Sequence, residues 1–138
     1  MDELLKTCDM LSLHVPVTEE TTGMCDREFF AKCRKGSYFV NTSRGELVDD
    51  DALREALENG TIVMAGLDTL DHEPVQKSHP MLSWPEETKE KILFSPHIGG
   101  ITGSSFGRGY AMIWEDIEKI SRGEAPGHIV NQKELNRE

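Results

Sequence analysis

Basic residues are scarce in this chain. Lys and Arg number 15 against 25 Asp and Glu, a formal charge of −10 over 138 residues. Phosphate polymers and anionic bilayers bind through basic patches, so this balance argues against nucleic acid and membrane surfaces as partners. Long apolar runs are absent as well, and no stretch approaches the roughly 18 residues a membrane span needs. The opening Met1-Asp2-Glu3-Leu4-Leu5-Lys6 is acidic where a secretory signal is basic, and no apolar region follows it. Cysteine is limited to Cys8, Cys25 and Cys33, with no Cys-x-x-Cys pair and one thiol left over. Free thiols in a reducing compartment are the reading, and the expected localisation is cytoplasmic. With 37% apolar and 29% charged residues, a chain of one domain's length can bury a core.

What is present alternates. Residues 10–15 form a short apolar run closed by Pro16, which cannot donate to a central ladder. Asp26 stands where an N-cap belongs before residues 27–34, whose Phe29, Phe30 and Cys33 fall at helical spacing. A second strand, residues 37–42, is rich in β-formers. Acids crowd the first turn of a helix over 49–59, with Leu53, Ala56 and Leu57 on one face. Residues 62–67 are apolar throughout, as in a strand covered on both faces. A polar, proline-bearing loop over 71–90 leads to a fourth strand at 92–95. A long helix over 102–122 then carries Tyr110, Ile113, Ile117 and Ile120 on one face, before a polar tail, 123–138. Strands spaced by helices predict an α/β fold with a doubly wound parallel sheet.

In open α/β sheets, ligands bind outside the carboxyl ends of the strands. Here those ends carry His14 and Pro16, then Thr42-Ser43-Arg44-Gly45, then Asp68 with Glu73-Pro74, and finally Pro96-His97-Ile98-Gly99-Gly100. Each residue has an ordinary reading on its own: a loop histidine, a turn aspartate, a strand-capping arginine. Their common position at strand ends points to chemistry. A histidine titrating near neutrality is the usual proton donor and acceptor, and a carboxylate orients it, so His97 pairs naturally with Glu73. Arg44 offers a planar fork for a carboxylate or carbonyl, and Gly99 and Gly100 allow close backbone approach. The set suits proton-coupled chemistry on a small oxo- or hydroxy-acid.

Two other patterns are set aside. Gly99-Gly100-Ile101-Thr102-Gly103 follows a strand and opens a helix, yet it reads Gly-Gly-x-x-Gly, and no strand ending in an acid follows about 20 residues on. Asp71, His72, Glu73 and His79 match no regular zinc spacing and read as a solvated loop, so no metal is expected.

The ordered motifs identify a resemblance. Leu13-His14-Val15-Pro16-Val17-Thr18, Asn41-Thr42-Ser43-Arg44-Gly45-Glu46-Leu47-Val48-Asp49 and Ala65-Gly66-Leu67-Asp68 come first in sequence. Glu73-Pro74, His79-Pro80, Ser95-Pro96-His97-Ile98-Gly99-Gly100, Arg122-Gly123-Glu124 and Val130-Asn131 follow. Together they resemble the D-isomer-specific 2-hydroxyacid dehydrogenases. The resemblance implies a Rossmann-like fold, specifically the second half of the nucleotide-binding domain plus a final helix across 1–138. It implies Arg44, Glu73 and His97 as catalytic residues, with His97 the acid/base, Glu73 setting its pKa and Arg44 binding the 2-oxo acid. It implies that Asp68 contacts the nicotinamide carboxamide and that Thr42, Ser43, Arg44, His97, Gly99 and Gly100 line the nicotinamide half. Val15 and Thr21 would reach the remainder of the nucleotide. The implied cofactor is NAD or NADP and the reaction hydride transfer at C2 of a small 2-hydroxy/2-oxo acid; an open sheet edge leads to the expectation of a homo-oligomer.

The family's Gly-x-Gly-x-x-Gly fingerprint is absent from the 138 residues, as is the acid that recognises the adenosine ribose. The chain alone is therefore expected to be inactive and to bind NAD weakly, because pyrophosphate normally sits on the helix that follows the fingerprint. Two alternatives stand beside the enzyme reading: a catalytically incomplete module that self-associates or binds a partner through an open sheet edge, and a dinucleotide-dependent sensor of the same fold.

Overall fold

Four short runs of β-forming residues make one parallel sheet: β1 (Met10–Leu13), β2 (Ser37–Asn41), β3 (Ile62–Leu67) and β4 (Ile92–Phe94), in the order β1-β2-β3-β4. The computed structural model describes residues 1–130, and the chain divides into two units, Met1–Gly99 and Gly100–Glu138. The first unit holds the whole sheet, a Rossmann-like α/β arrangement of the kind the strand–helix alternation predicts.

Helices α1 (Asp2–Thr7), α2 (Arg27–Lys32), α3 (Asp50–Glu58) and α4 (Glu86–Lys89) accompany the sheet. The α2 and α3 starts are fixed by side chains that satisfy free backbone amides. Asp26 accepts from the Phe29 amide at 2.8 Å, and Asp49 from the Ala52 amide at 3.0 Å. Between them, α2 and α3 bury Phe29, Phe30, Leu53, Ala56 and Leu57. Leu11, Leu13, Phe39, Ile62, Ala65 and Leu67 of the strands are buried with them in one core. Phe30 meets Phe39 edge to face, with centroids 5.3 Å apart.

The alternation in β3 slips once. Ser37 pairs with Ile62 but Tyr38 pairs with Met64, so Val63 is an extra residue, and the buried set becomes Ile62, Ala65 and Leu67 rather than a strict period of two. The reading of β3 as covered on both faces does not hold within this unit, since Met64 is 44% exposed and Tyr38 and Leu93 are exposed too. Topology supplies the reason. Right-handed crossovers between sequential parallel neighbours all return over the same face.

Several boundaries differ from the sequence reading. The first strand stops at Leu13, two residues before Val15, and the second and fourth stop at Asn41 and Phe94, where side-chain hydrogen bonds divert the chain. The α1 helix is too short for its pattern to show; Leu5, its single buried residue, anchors it. The 71–90 loop contains a 3-10 turn, Pro80–Ser83, as well as α4, and it buries Met81, Trp84 and Thr88.

In the second unit α5 (Ser105–Ser121) starts three residues later than the reading from 102. Ser105 Oγ and the backbone of Thr102 hydrogen-bond each other in the preceding turn, both at 3.0 Å. None of the residues of α5 is buried. Asp116 ties the following segment back through the Gly127 amide at 2.8 Å. Asn131 and the end of the tail lie outside the described residues. Among those described, no helix is long and apolar enough to cross a membrane.

Candidate active site

Parallel pairing brings four strand ends to one edge of the sheet, and each end is shaped by a polar side chain. At the end of β2 the buried Asn41 accepts from the Ser43 amide at 3.0 Å and donates to the Arg44 carbonyl at 2.7 Å. This turn tilts Thr42-Ser43-Arg44 out of the strand. Ser43 Oγ donates to the Leu13 carbonyl at 2.8 Å and clips the turn to β1. The Arg44 guanidinium is exposed, with Nη1 donating to the Ser43 carbonyl at 2.7 Å. Gly45 then passes so close to the Leu70–Asp71 backbone that a β-carbon would overlap the Leu70 carbonyl carbon and the Asp71 amide. Glycine here presses the arginine loop against the connection that carries Glu73.

Asp68, at the end of β3, is 6% exposed, and its carboxylate is fully engaged. Oδ1 accepts from Ser95 Oγ and from the Ile98 amide at 3.0 Å, and Oδ2 accepts from the Gly99 amide at 2.7 Å. The Ser95 hydrogen bond first, then the two amides against the cost of burial, holds this carboxyl below its ordinary range. A β-carbon on Gly99 would stand 2.8 Å from Asp68 Oδ2, so the turn after β4 requires glycine there.

His97 follows β4 with φ of 53°, the left-handed region that non-glycine residues seldom enter. Its amide donates to the Asp68 carbonyl at 2.9 Å. The side chain meets Glu73: His97 Nδ1 lies 2.5 Å from Glu73 Oε2, while Glu73 Oε1 accepts from the Leu70 amide at 2.8 Å. An ionised carboxylate only accepts, so this contact puts the ring proton on Nδ1 and leaves Nε2 for a second partner. Burial pushes the Glu73 carboxyl up. The His97 and Leu70 hydrogen bonds and the nearby charges of His97 and Arg44 outweigh it, and the net shift is downward.

Two openings border these groups. A cleft of about 690 Å³ is lined by Asp68, Glu73, Ser95 and His97, with apolar walls from Leu70, Val75, Leu82 and Phe94; this volume falls in the range of small-molecule sites. A separate groove of about 520 Å³ is lined by His14, Val15, Pro16, Ser43 and Arg44. The structure thus joins Glu73, His97, Asp68 and Gly99 on one side and Val15, Ser43 and Arg44 on the other. Thr42 lies between them, its β-carbon 3.9 Å from the position a Gly99 β-carbon would take. Thr21 is engaged in its own turn, where its hydroxyl donates to the Pro16 carbonyl at 2.7 Å and accepts from the Thr18 amide at 2.8 Å. His14 bonds Ser12 at 2.8 Å and stays apart from His97 and Glu73. Gly100 belongs to the second unit.

Two residues carry more of the site than the sequence reading gave them. Asn41 shapes the arginine turn, and the signal was an Asx residue whose side chain bonds the backbone two positions on. His79, read as part of a solvated loop, is 8% exposed. Its Nδ1 accepts from the Met81 amide at 3.4 Å and its Nε2 lies 3.7 Å from Asp50 Oδ2. The solvated-loop reading does hold for His72, whose side chain is 89% exposed. Among the described residues no three His, Cys, Asp or Glu side chains gather as metal ligands.

Comparison with known proteins identifies the family. The sequence profile of the D-isomer specific 2-hydroxyacid dehydrogenase, NAD binding domain, matches residues 1–99. The chain is 37% identical over 133 residues to a glyoxylate reductase of Korarchaeum cryptofilum, covering 96% of this chain and 39% of that one. It is 36% identical over 138 residues to a D-3-phosphoglycerate dehydrogenase of Methanocaldococcus jannaschii, of which it covers 25%. Among solved structures it resembles a D-lactate dehydrogenase with NAD+ from Lactobacillus jensenii, with a TM-score of 0.78 and 32% identity over 95% of this chain and 42% of that one. It therefore spans about two fifths or less of the relatives' length. The chain belongs to the D-isomer specific 2-hydroxyacid dehydrogenase family, its residues 1–99 matching the NAD binding domain.

Proposed function

We propose that this chain supplies the proton-transfer and carboxylate-binding side chains of an NAD(P)-dependent oxidoreductase acting at C2 of a small 2-hydroxy/2-oxo acid. The observation that carries this reading is the 2.5 Å His97–Glu73 contact at the carboxyl edge of the sheet, with one ring nitrogen left over. A nicotinamide cofactor, when bound, would supply the hydride. Ser43, Thr42 and Arg44 on one side and Asp68, His97 and Gly99 on the other face the edge where its nicotinamide half would lie. Gly99, which has no room for a side chain, keeps that turn tight. Val15 lines the groove beside Arg44, and Thr21 is tied next to it through the Pro16 carbonyl. In reduction His97 Nε2 would give its proton to the C2 oxygen, and in oxidation it would take that proton back. Glu73 stabilises the protonated ring through Nδ1, and Arg44 pairs with the acid's carboxylate.

With no glycine fingerprint in its sequence, the isolated chain binds NADH weakly, and a micromolar dissociation constant by calorimetry would overturn that point. The reaction itself is tested by joining this chain to the first nucleotide-binding half and the substrate domain of a family member. The expected outcome is NADH oxidation that depends on an added 2-oxo acid. No oxidation with any of glyoxylate, pyruvate or hydroxypyruvate would sink the reading.

A second reading rests on a different observation. Among the described residues β1 pairs only with β2, and Met10, Tyr38, Met64 and Leu93 are exposed. An open edge and an uncovered apolar face favour self-association. Sedimentation of the isolated chain is expected to give a dimer or larger, and a clean monomer counts against it.

A further inference from the structure

His79 is a buried titratable side chain that the reaction above does not use. It lies on the β3–β4 connection six residues after Glu73, and it lines the same cleft as Glu73 and His97. The Met81 amide donates to its Nδ1, which places the ring proton on Nε2, facing the Asp50 carboxylate 3.7 Å away on the first turn of α3. That acid is only 19% exposed, and its carboxyl is raised, by burial first, with Asp71, Asp49 and Asp51 adding to the rise and His79 opposing it. His79 is thus the group of the connection that answers a partly desolvated charge on α3.

The connection transmits this anchor to Glu73 through consecutive hydrogen bonds. The His79 amide donates to the Gln76 carbonyl at 3.0 Å, and the Gln76 side-chain amide donates to the Pro74 carbonyl at 3.0 Å. On the far side, Glu73 is fixed by the Leu70 amide. The loop that carries Glu73 is therefore held at both ends: at Leu70, where Gly45 also packs, and at His79, which meets Asp50 of α3. Between these two points the loop carries exposed side chains such as His72 and Val75, which contribute little of their own to its position.

We propose that His79 is a positioning residue, which through Asp50 fixes the loop that presents Glu73 to His97. The proposal rests on the His97–Glu73 assignment above, but its test reads the geometry of that pair rather than turnover, so the two fail separately. In the proton NMR spectrum of the full chain, the His97 Nδ1 proton in a 2.5 Å contact with a carboxylate gives a far-downfield resonance, identified by its loss in Glu73→Gln. In His79→Ala this resonance is lost or broadened, while the core signals of Phe39 and Leu53 stay in place. His79→Gln, whose amide can accept from Met81 and donate to Asp50, restores it. Asp50→Ala removes the acceptor along with a charge that burial already disfavours, so it folds, and it gives the same loss. Leu57→Ala on α3 lowers the melting temperature without moving the resonance. A resonance that survives in Asp50→Ala and in any folded His79→Ala overturns the proposal, and so does its equal loss in Leu57→Ala.

Discussion

Asp68 and Glu73 leave the same strand five residues apart, and both carry carboxyls held below their ordinary range, yet their surroundings differ in kind. Asp68 spends both oxygens on Ser95 and on the Ile98 and Gly99 amides, and water scarcely reaches it. Glu73 spends one oxygen on its own loop and one on an imidazole whose side chain is 44% exposed. The first carboxylate shapes backbone; the second, in the proposed function, tunes a proton carrier. A depressed pKa thus marks an engaged carboxylate without telling which engagement is chemical. The partner decides, and here that partner is a ring with a second nitrogen to offer.

The comparison can be broken by substitution. Gly45→Ala should have the largest effect, because its β-carbon would overlap the Leu70–Asp71 peptide. We expect a loss of about 3 kcal/mol or more in urea unfolding, together with displacement of the Arg44 and Glu73 loops. Asp68→Ala leaves the Ser95 hydroxyl and the Ile98 and Gly99 amides without their charged acceptor and should cost about 1–3 kcal/mol. Glu73→Gln should change stability by less than about 1 kcal/mol, since the pair is partly exposed. It should nevertheless reduce the turnover of the joined enzyme by about 100-fold or more. Equal stability losses in Asp68→Ala and Glu73→Gln would erase the distinction drawn between them.

The smallest effect is on the acid limb of stability. Asp68 and Glu73 have folded pKa values below their unfolded ones. Their contribution is complete above the ordinary carboxylate range and is lost as pH falls through the lowered values. Asp50 runs the other way: its raised carboxyl costs stability as pH rises past its unfolded value. Thermal melts between pH 3 and 7 should therefore flatten at the acid end in Asp68→Asn and steepen in Asp50→Asn. Parallel curves for the two variants would contradict the assigned directions.

Much of this was legible in the sequence. The alternation of β-formers with capped helices gives a parallel sheet, and Asp26 and Asp49 mark the starts of α2 and α3 through local geometry that a sequence carries. The placement of Arg44, Asp68, Glu73 and His97 at strand ends follows from parallel pairing, which needs no side-chain detail. What was hidden depends on tertiary contacts. The extra residue at Val63 is a property of two strands in register, so β3 looked uniformly apolar. His79 reads as polar loop because the acid it meets, Asp50, lies far back in the sequence on α3. The split of the site residues between a cleft with Glu73 and His97 and a groove with Arg44 depends on where Gly45 lets two loops touch. The periodicity of α5 shows an apolar face, but period alone does not say what lies against it.

The most direct measurement is the rate of NADH oxidation by a 2-oxo acid in the joined enzyme, native against His97→Gln. Glutamine keeps a polar side chain in the cleft but cannot carry the proton. A proton-transferring His97 predicts a fall of about 100-fold or more in kcat with little change in the melting temperature. An unchanged kcat would contradict the account.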